Sequence, residues 1–65
     1  MDERDYWTCD AMEKYGGSFV RILGTLARHA DAENLRKIKA AWPIYWMQYE
    51  ERGKEMQKEN EKSPL

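Results

Sequence analysis

The side chains that most often carry covalent chemistry, a cysteine thiol and a histidine imidazole, occur once each in this sequence, as Cys9 and His29. Nucleophilic catalysis needs a thiol or hydroxyl beside a base that takes its proton, and no motif links these two residues. We therefore predict that Cys9 is a small buried apolar side chain and that His29 lies near a helix C-terminus, where positive charge is favourable. One cysteine excludes a disulfide within the chain, and this pair is too small a set of ligands for a structural zinc site.

The adjacent acidic residues and the paired glycines do not indicate acid–base catalysis or phosphate binding. Glu50 and Glu51 are adjacent, and adjacent residues on a helix point in different directions. Gly16 and Gly17 lack the later Gly, Lys or Ser/Thr of phosphate-binding loops. We therefore expect no catalytic site, no cofactor and no metal.

A basic patch is predicted on the third helix, at Arg36, Lys37 and Lys39. With the preceding helix and turn it could imitate a helix-turn-helix, whose second helix contacts DNA. The turn lacks the characteristic glycine, however, and the net charge of −1 does not favour nucleic acid. We prefer a plain solvated face or a patch that steers an acidic protein partner, and keep a nucleic-acid-binding regulator as the alternative.

The chain is predicted to be all-α, a small bundle of three to four short helices with an extended C-terminal helix. Apolar residues recur at helical spacing, and no period-2 run of β-branched residues indicates a strand. Asp5, Ser18 and Asp31 are the expected N-caps, and Pro43 suits the first position of a helix. The predicted helices are 5–15, 19–30, 32–41 and 43–58.

Each helix is predicted to have one apolar face. The second helix has the clearest pattern, and Gly24 and Gly53 are expected to let a neighbouring helix approach closely. The first three faces are predicted to turn inward, with Trp7, Ala11 and Tyr15, then Phe19, Ile22, Leu23, Leu26 and Ala30, then Leu35, Ile38 and Ala41 or Trp42. The stripe of the fourth helix, Trp46, Tyr49, Gly53 and Met56, is interpreted as either core or interface.

Residues 1–58 are expected to form a single helical domain and residues 59–65 a flexible polar tail. No apolar run approaches the ~18 residues of a membrane span, and the acidic start is unlike a signal peptide. A single cysteine suits a reducing compartment. These observations predict a cytoplasmic protein.

Aromatic residues are numerous for this length, with 3 Trp, 4 Tyr and 1 Phe in 65 residues. Each ring can bury roughly 150–250 Å², yet so short a chain buries only about 60% of its unfolded surface. Some rings are therefore expected in an interface, either of a homodimer or with another protein. The candidate interface residues are Trp42, Tyr45, Trp46, Tyr49 and Met56, with Arg36, Lys37 and Lys39 as the steering patch.

Three segments of the sequence resemble parts of a known group of proteins. They are Glu13-Lys14-Tyr15-Gly16-Gly17-Ser18-Phe19-Val20, Leu26-Ala27-Arg28-His29-Ala30-Asp31 with Asn34-Leu35, and Ala41-Trp42-Pro43-Ile44-Tyr45-Trp46. The pattern resembles that of short helical proteins of tailed phages and prophages. It runs tyrosine-glycine-glycine-serine-phenylalanine-valine, then alanine-aspartate, then an aromatic-proline-x-tyrosine-tryptophan block. It covers about residues 6–49. Ile44 stands where that group has a glutamate, a difference that adds apolar surface.

The resemblance implies a phage context and a host-cell location, and the group has no assigned activity. Phage chains of this size without catalytic residues often inhibit a host or anti-phage defence protein, or act as small regulators. The leading prediction is therefore a binding protein that occludes the surface of such a partner. A virion assembly accessory is a further alternative.

Overall fold

The computed structural model describes residues 1–62, which form four α-helices. They are α1 (Glu3–Tyr15), α2 (Ser18–His29), α3 (Ala32–Ala41) and α4 (Pro43–Lys62). No strand occurs within these residues, so the predicted all-α bundle with an extended C-terminal helix is confirmed.

Two of the predicted N-caps are wrong. The cap of α1 is Asp2, whose Oδ1 accepts the backbone N–H of Asp5 at 2.8 Å, and this hydrogen bond lowers the pKa of Asp2. Asp5 instead lies inside the helix and is buried. Helix α2 is capped by Gly17, which makes no side-chain cap hydrogen bond, and Ser18 is its first residue.

The other predicted boundaries agree more closely. Asp31 caps α3 by accepting the N–H of Asn34 at 2.8 Å, and Pro43 begins α4, as predicted. Helix α4 ends at Lys62 instead of residue 58, so residues 59–62 are helical where a flexible tail was expected. The last three residues of that predicted tail, 63–65, lie outside the described residues.

Helix α1 is the centre of the bundle and packs against both α2 and α4, whereas α3 makes fewer contacts. All four helices contribute to one apolar core. Its buried residues are Cys9, Met12, Val20, Leu23, Ala27, Leu35, Ile38 and Trp46.

Two glycines set the distances between α1 and its neighbours. A Cβ added at Gly24 would lie 2.7 Å from the Cβ of Met12, and one added at Gly53 would lie 2.8 Å from the carbonyl carbon of Trp7. No real Cβ atom fits at such distances. The predicted close approach at both glycines is confirmed, and in both cases the neighbour is α1 of the same chain.

Three ion pairs connect α1 to the other helices, and one of them joins Arg28 of α2 to Asp10 at 3.6 Å. Arg28 of α2 donates to Glu13 of α1 at 2.8 Å, and this contact is the main reason that the pKa of Glu13 is lowered and that of Arg28 raised. Lys39 of α3 lies 2.9 Å from the buried carboxylate of Asp5, and its Nζ also lies 5.3 Å from the ring centroid of Trp46.

Replacing Gly53 by alanine should destabilise the fold by about 1–3 kcal/mol, because the added methyl must push α4 away from the backbone of α1. This cost should exceed the ~1 kcal/mol that alanine gains over glycine inside a helix. Urea unfolding followed by circular dichroism measures the difference.

The matched control is Gly17→Ser, because a Cβ at Gly17 meets nothing within 4 Å and serine is a good N-cap residue. It should change the free energy of unfolding by a few tenths of a kcal/mol at most. Equal stability of Gly53→Ala and wild type would contradict the close packing of α1 and α4.

Candidate interaction surface

Cys9 and His29 lie in different environments, one buried and one exposed. Cys9 is fully buried in the core, and burial raises the pKa of its thiol to about 11. His29 is the last residue of α2, as predicted; it is exposed, and its Nδ1–H donates to the carbonyl of Thr25 at 2.9 Å. Within residues 1–62, no three Asp, Glu, Cys or His side chains cluster closely enough to hold a metal ion.

The predicted interface residues divide between the core and the surface. Trp46 is only 6% exposed and belongs to the core, so its assignment as an exposed anchor is corrected. Tyr49 is half-buried and packs against the same core. Met56 is half-buried beside a largely polar groove between α1 and α4. Trp42 and Tyr45 are exposed.

The cause of this division is the position of Gly53 on α4. Its seam Trp46, Tyr49, Gly53 and Met56 follows one stripe of the helix, and Gly53 brings that stripe against the backbone of Trp7 in α1. The seam therefore serves packing within the chain. Trp42 is the C-cap residue of α3 and Tyr45 lies in the first turn of α4, so both are far along the chain from this contact.

The apolar stripe of α2 lies largely on the surface. Phe19, Ile22 and Leu26 are 52%, 67% and 55% exposed, so the prediction that they face inward is wrong. Ala30, from the same stripe, is half-buried, and Leu23 is buried as predicted. The buried side of α2 is formed by Val20, Leu23, Gly24 and Ala27.

The width of the apolar surface of α2 explains this result. Helix α1 packs against the side that carries the smallest residues, Gly24 and Ala27, because small side chains permit the closest contact and the tightest packing. One neighbouring helix cannot also cover the larger side chains further around the helix. Those side chains are left for α3 and α4, which reach only part of them.

We define the apolar face as Phe19, Ile22, Leu26, Trp42 and Tyr45. The ring of Phe19 lies 5.8 Å from that of Trp42 and 5.9 Å from that of Tyr45, measured between centroids. Ile22 lies one turn after Phe19 on α2, and Leu26 one turn further. Helices α2 and α4 thus contribute to one continuous patch.

A groove of about 380 Å³ between α2 and α3 continues this face. Its apolar lining includes Leu26 and Trp42, which also belong to the apolar face. The remaining lining residues are Ala30, Ile38 and Ala41, which are apolar, and His29, Asn34 and Lys37, which are polar.

The other exposed rings have different surroundings. The guanidinium of Arg28 lies 5.0 Å from the ring centroid of Tyr6, and that of Arg52 lies 4.3 Å from the centroid of Tyr15. Both tyrosines thus have a cation of the same chain over the ring. Within residues 1–62, no cation of this kind lies over a ring of the apolar face.

The residues of the predicted basic patch border two different grooves, because Arg36 and Lys39 line one and Lys37 lines the other. Arg36 pairs with Glu33, and Lys39 pairs with Asp5 and is only partly exposed. Lys37 is exposed, lines the groove, and takes part in none of the ion pairs found within residues 1–62. Of the three residues, Lys37 lines the groove together with Leu26 and Trp42 of the apolar face.

Sequence reasoning missed the surface position of Phe19, Ile22 and Leu26, although the sequence contains a signal for it. Apolar and small residues occupy more than half of the helix circumference of α2, from Gly24 through Leu23 to Ile22. So wide an apolar arc exceeds what one packing partner covers. The small residues at one edge indicate which part meets the neighbouring helix.

Comparison with protein-family models, with curated proteins and with solved structures found no match. In the described part of the chain, no helix combines the length and the apolar character needed to cross a bilayer.

The buried thiol leads to a chemical prediction. Iodoacetamide reacts with the thiolate, and both the full burial of Cys9 and its raised pKa suppress that form at neutral pH. We expect negligible alkylation of the folded protein over a time in which a free cysteine reacts completely, and full alkylation in urea. Mass spectrometry measures the modified fraction, and rapid alkylation without denaturant would contradict the burial of Cys9 in the core.

Proposed function

We propose that this chain is a non-enzymatic binding protein that uses its apolar face to occlude a surface of a host or anti-phage defence protein. The observation that carries the proposal is the exposure of Phe19, Ile22 and Leu26, each more than half accessible, beside Trp42 and Tyr45. The resemblance to short phage proteins supplies the bacterial context of the partner.

Burial of the apolar face against a partner protein would lower the free energy. Burial of apolar surface contributes about 25 cal/mol per Å², and monomeric proteins rarely expose contiguous apolar patches larger than a few hundred Å². Tryptophan and tyrosine are also enriched among the residues that dominate binding energies. A face that combines Trp42, Tyr45 and Phe19 with two aliphatic side chains therefore supports a role in protein recognition.

The alternative of nucleic-acid binding has less support. Phosphate recognition needs several accessible cations on one surface, whereas Arg36 is paired with Glu33 and Lys39 with Asp5. Only Lys37 of the three has no carboxylate partner within residues 1–62, and a single lysine provides little affinity for a phosphate backbone.

A homodimer is the other interpretation of the exposed rings, and self-association stays a prediction of the sequence. If two copies pair through the apolar face, sedimentation velocity at micromolar concentration should give twice the mass of one 7.8 kDa chain. Ile22→Glu should then restore the monomer, because it places a charge in the centre of the pairing surface. A monomeric wild-type protein would exclude the dimer under these conditions.

Affinity capture from bacterial lysate tests the proposed function. Tagged wild-type protein should enrich at least one bacterial protein, and Ile22→Glu should lose it, because a carboxylate in the apolar face would be buried without a partner. The matched control is Met47→Glu. Met47 is 57% exposed, and it lies two residues after Tyr45 and therefore on another side of α4.

Quantitative mass spectrometry compares the three captures. Both variants should keep the helical circular dichroism and the unfolding midpoint of wild type, because both substitutions are at exposed positions. Identical captured proteins from wild type, Ile22→Glu and Met47→Glu would refute a function based on this face.

A further inference from the structure

We infer that the apolar face and the adjoining groove bind an acidic amphipathic helix of the partner protein, with Lys37 contacting one of its carboxylates. This inference rests on the proposed binding function and specifies the chemistry of the partner. Three features carry it: the shape of the site, the absence of strand edges, and the distribution of charge.

The site has the dimensions of a helix-binding surface. Phe19, Ile22 and Leu26 are spaced by three and four residues along α2, so they form a straight row about 10 Å long. The groove of about 380 Å³ between α2 and α3 adjoins the Leu26 end of this row, because Leu26 is the member of the row that lines it. An apolar stripe of about two turns on a partner helix would pack against the row and place side chains in the groove.

The backbone of this protein gives an extended peptide nothing to pair with. Residues 1–62 contain no strand, and addition of a peptide strand requires an exposed sheet edge. A bound helix satisfies its own backbone hydrogen bonds and needs only apolar contact. A helical partner is therefore favoured over an extended segment.

Charge determines which kind of helix fits. Neither the apolar face nor the lining of the groove contains an acidic residue. Lys37 is the one lysine or arginine in the lining, and it makes no ion pair within residues 1–62. A partner that covers the groove removes water from this ammonium group and must compensate it. A carboxylate beside the apolar stripe of the partner supplies the compensation.

A second copy of this chain would supply the compensating carboxylate less well than a foreign acidic helix. In a symmetric dimer the same face lies on both sides of the interface, so each Lys37 would face a surface without carboxylates. An acidic helix from a different protein offers both the apolar stripe and the opposite charge. The charge pattern thus favours a foreign partner over self-association.

Two synthetic peptides test the inference. Each has about 20 residues, because an isolated helix of that length can form in water. Both have leucines at i, i+3, i+4 and i+7. One has glutamate and the other lysine at every second remaining position, with alanine elsewhere. Fluorescence anisotropy of the labelled peptides, titrated with the whole protein, gives the dissociation constants.

Wild type should bind the glutamate peptide about tenfold more tightly than the lysine peptide. Lys37→Glu should reverse this order, and Ile22→Glu should weaken both peptides by at least about tenfold. Met47→Glu should behave as wild type. Unchanged circular dichroism of each variant ensures that the comparison concerns binding.

Equal affinity for the two peptides, or affinity that does not depend on Ile22, would overturn the inference. So would a dimer in sedimentation that Ile22→Glu dissociates, because the face would then hold a second copy. If neither peptide binds while capture from lysate still depends on Ile22, the proposed function stands and the inference of an acidic helical partner is wrong. If neither depends on Ile22, both proposals are wrong.

Discussion

The architecture depends on how closely α1 is held between two other helices. Gly24 of α2 and Gly53 of α4 both present bare backbone to α1, and neither position has room for a methyl group. Close contact of helix backbones lets the neighbouring side chains interdigitate at high density. This gives a 65-residue chain an ordered core without a disulfide, since its one cysteine is free.

The same close contacts decide which apolar residues stay outside. Once the small residues of α2 lie against α1, the larger side chains on the remaining apolar arc point away from the centre of the bundle. Five of the eight aromatic rings are exposed as well: those of Tyr6, Tyr15, Phe19, Trp42 and Tyr45. A single central helix has too little surface to cover them all. The close contacts around α1 therefore explain both the packed core and the exposed apolar surface.

Local features of the sequence predicted the helices well, because caps and prolines act over one turn of chain. Asp31 and Pro43 were assigned correctly for this reason. The choice of Asp5 over Asp2 failed because both are acidic and near the start, and only the geometry decides which carboxylate reaches the free N–H. The buried faces of α2 and α4 were harder to predict from the sequence. Which face is buried depends on contacts between residues that are far apart in the chain. Thus Phe19, predicted to face inward, is exposed, and Trp46, a candidate interface anchor, is buried in the core.

Lys39 has a structural importance greater than its partly exposed position suggests. Its amine contacts the carboxylate of Asp5 in α1 and the ring of Trp46 in α4, while its backbone belongs to α3. Neutralisation of this one amine, for instance by acetylation, would abolish the ion pair and the cation–π contact together. Asp5 would then be left as a buried carboxylate without a counter-ion, and α3, which forms one wall of the groove, would lose its polar attachment to two helices at once.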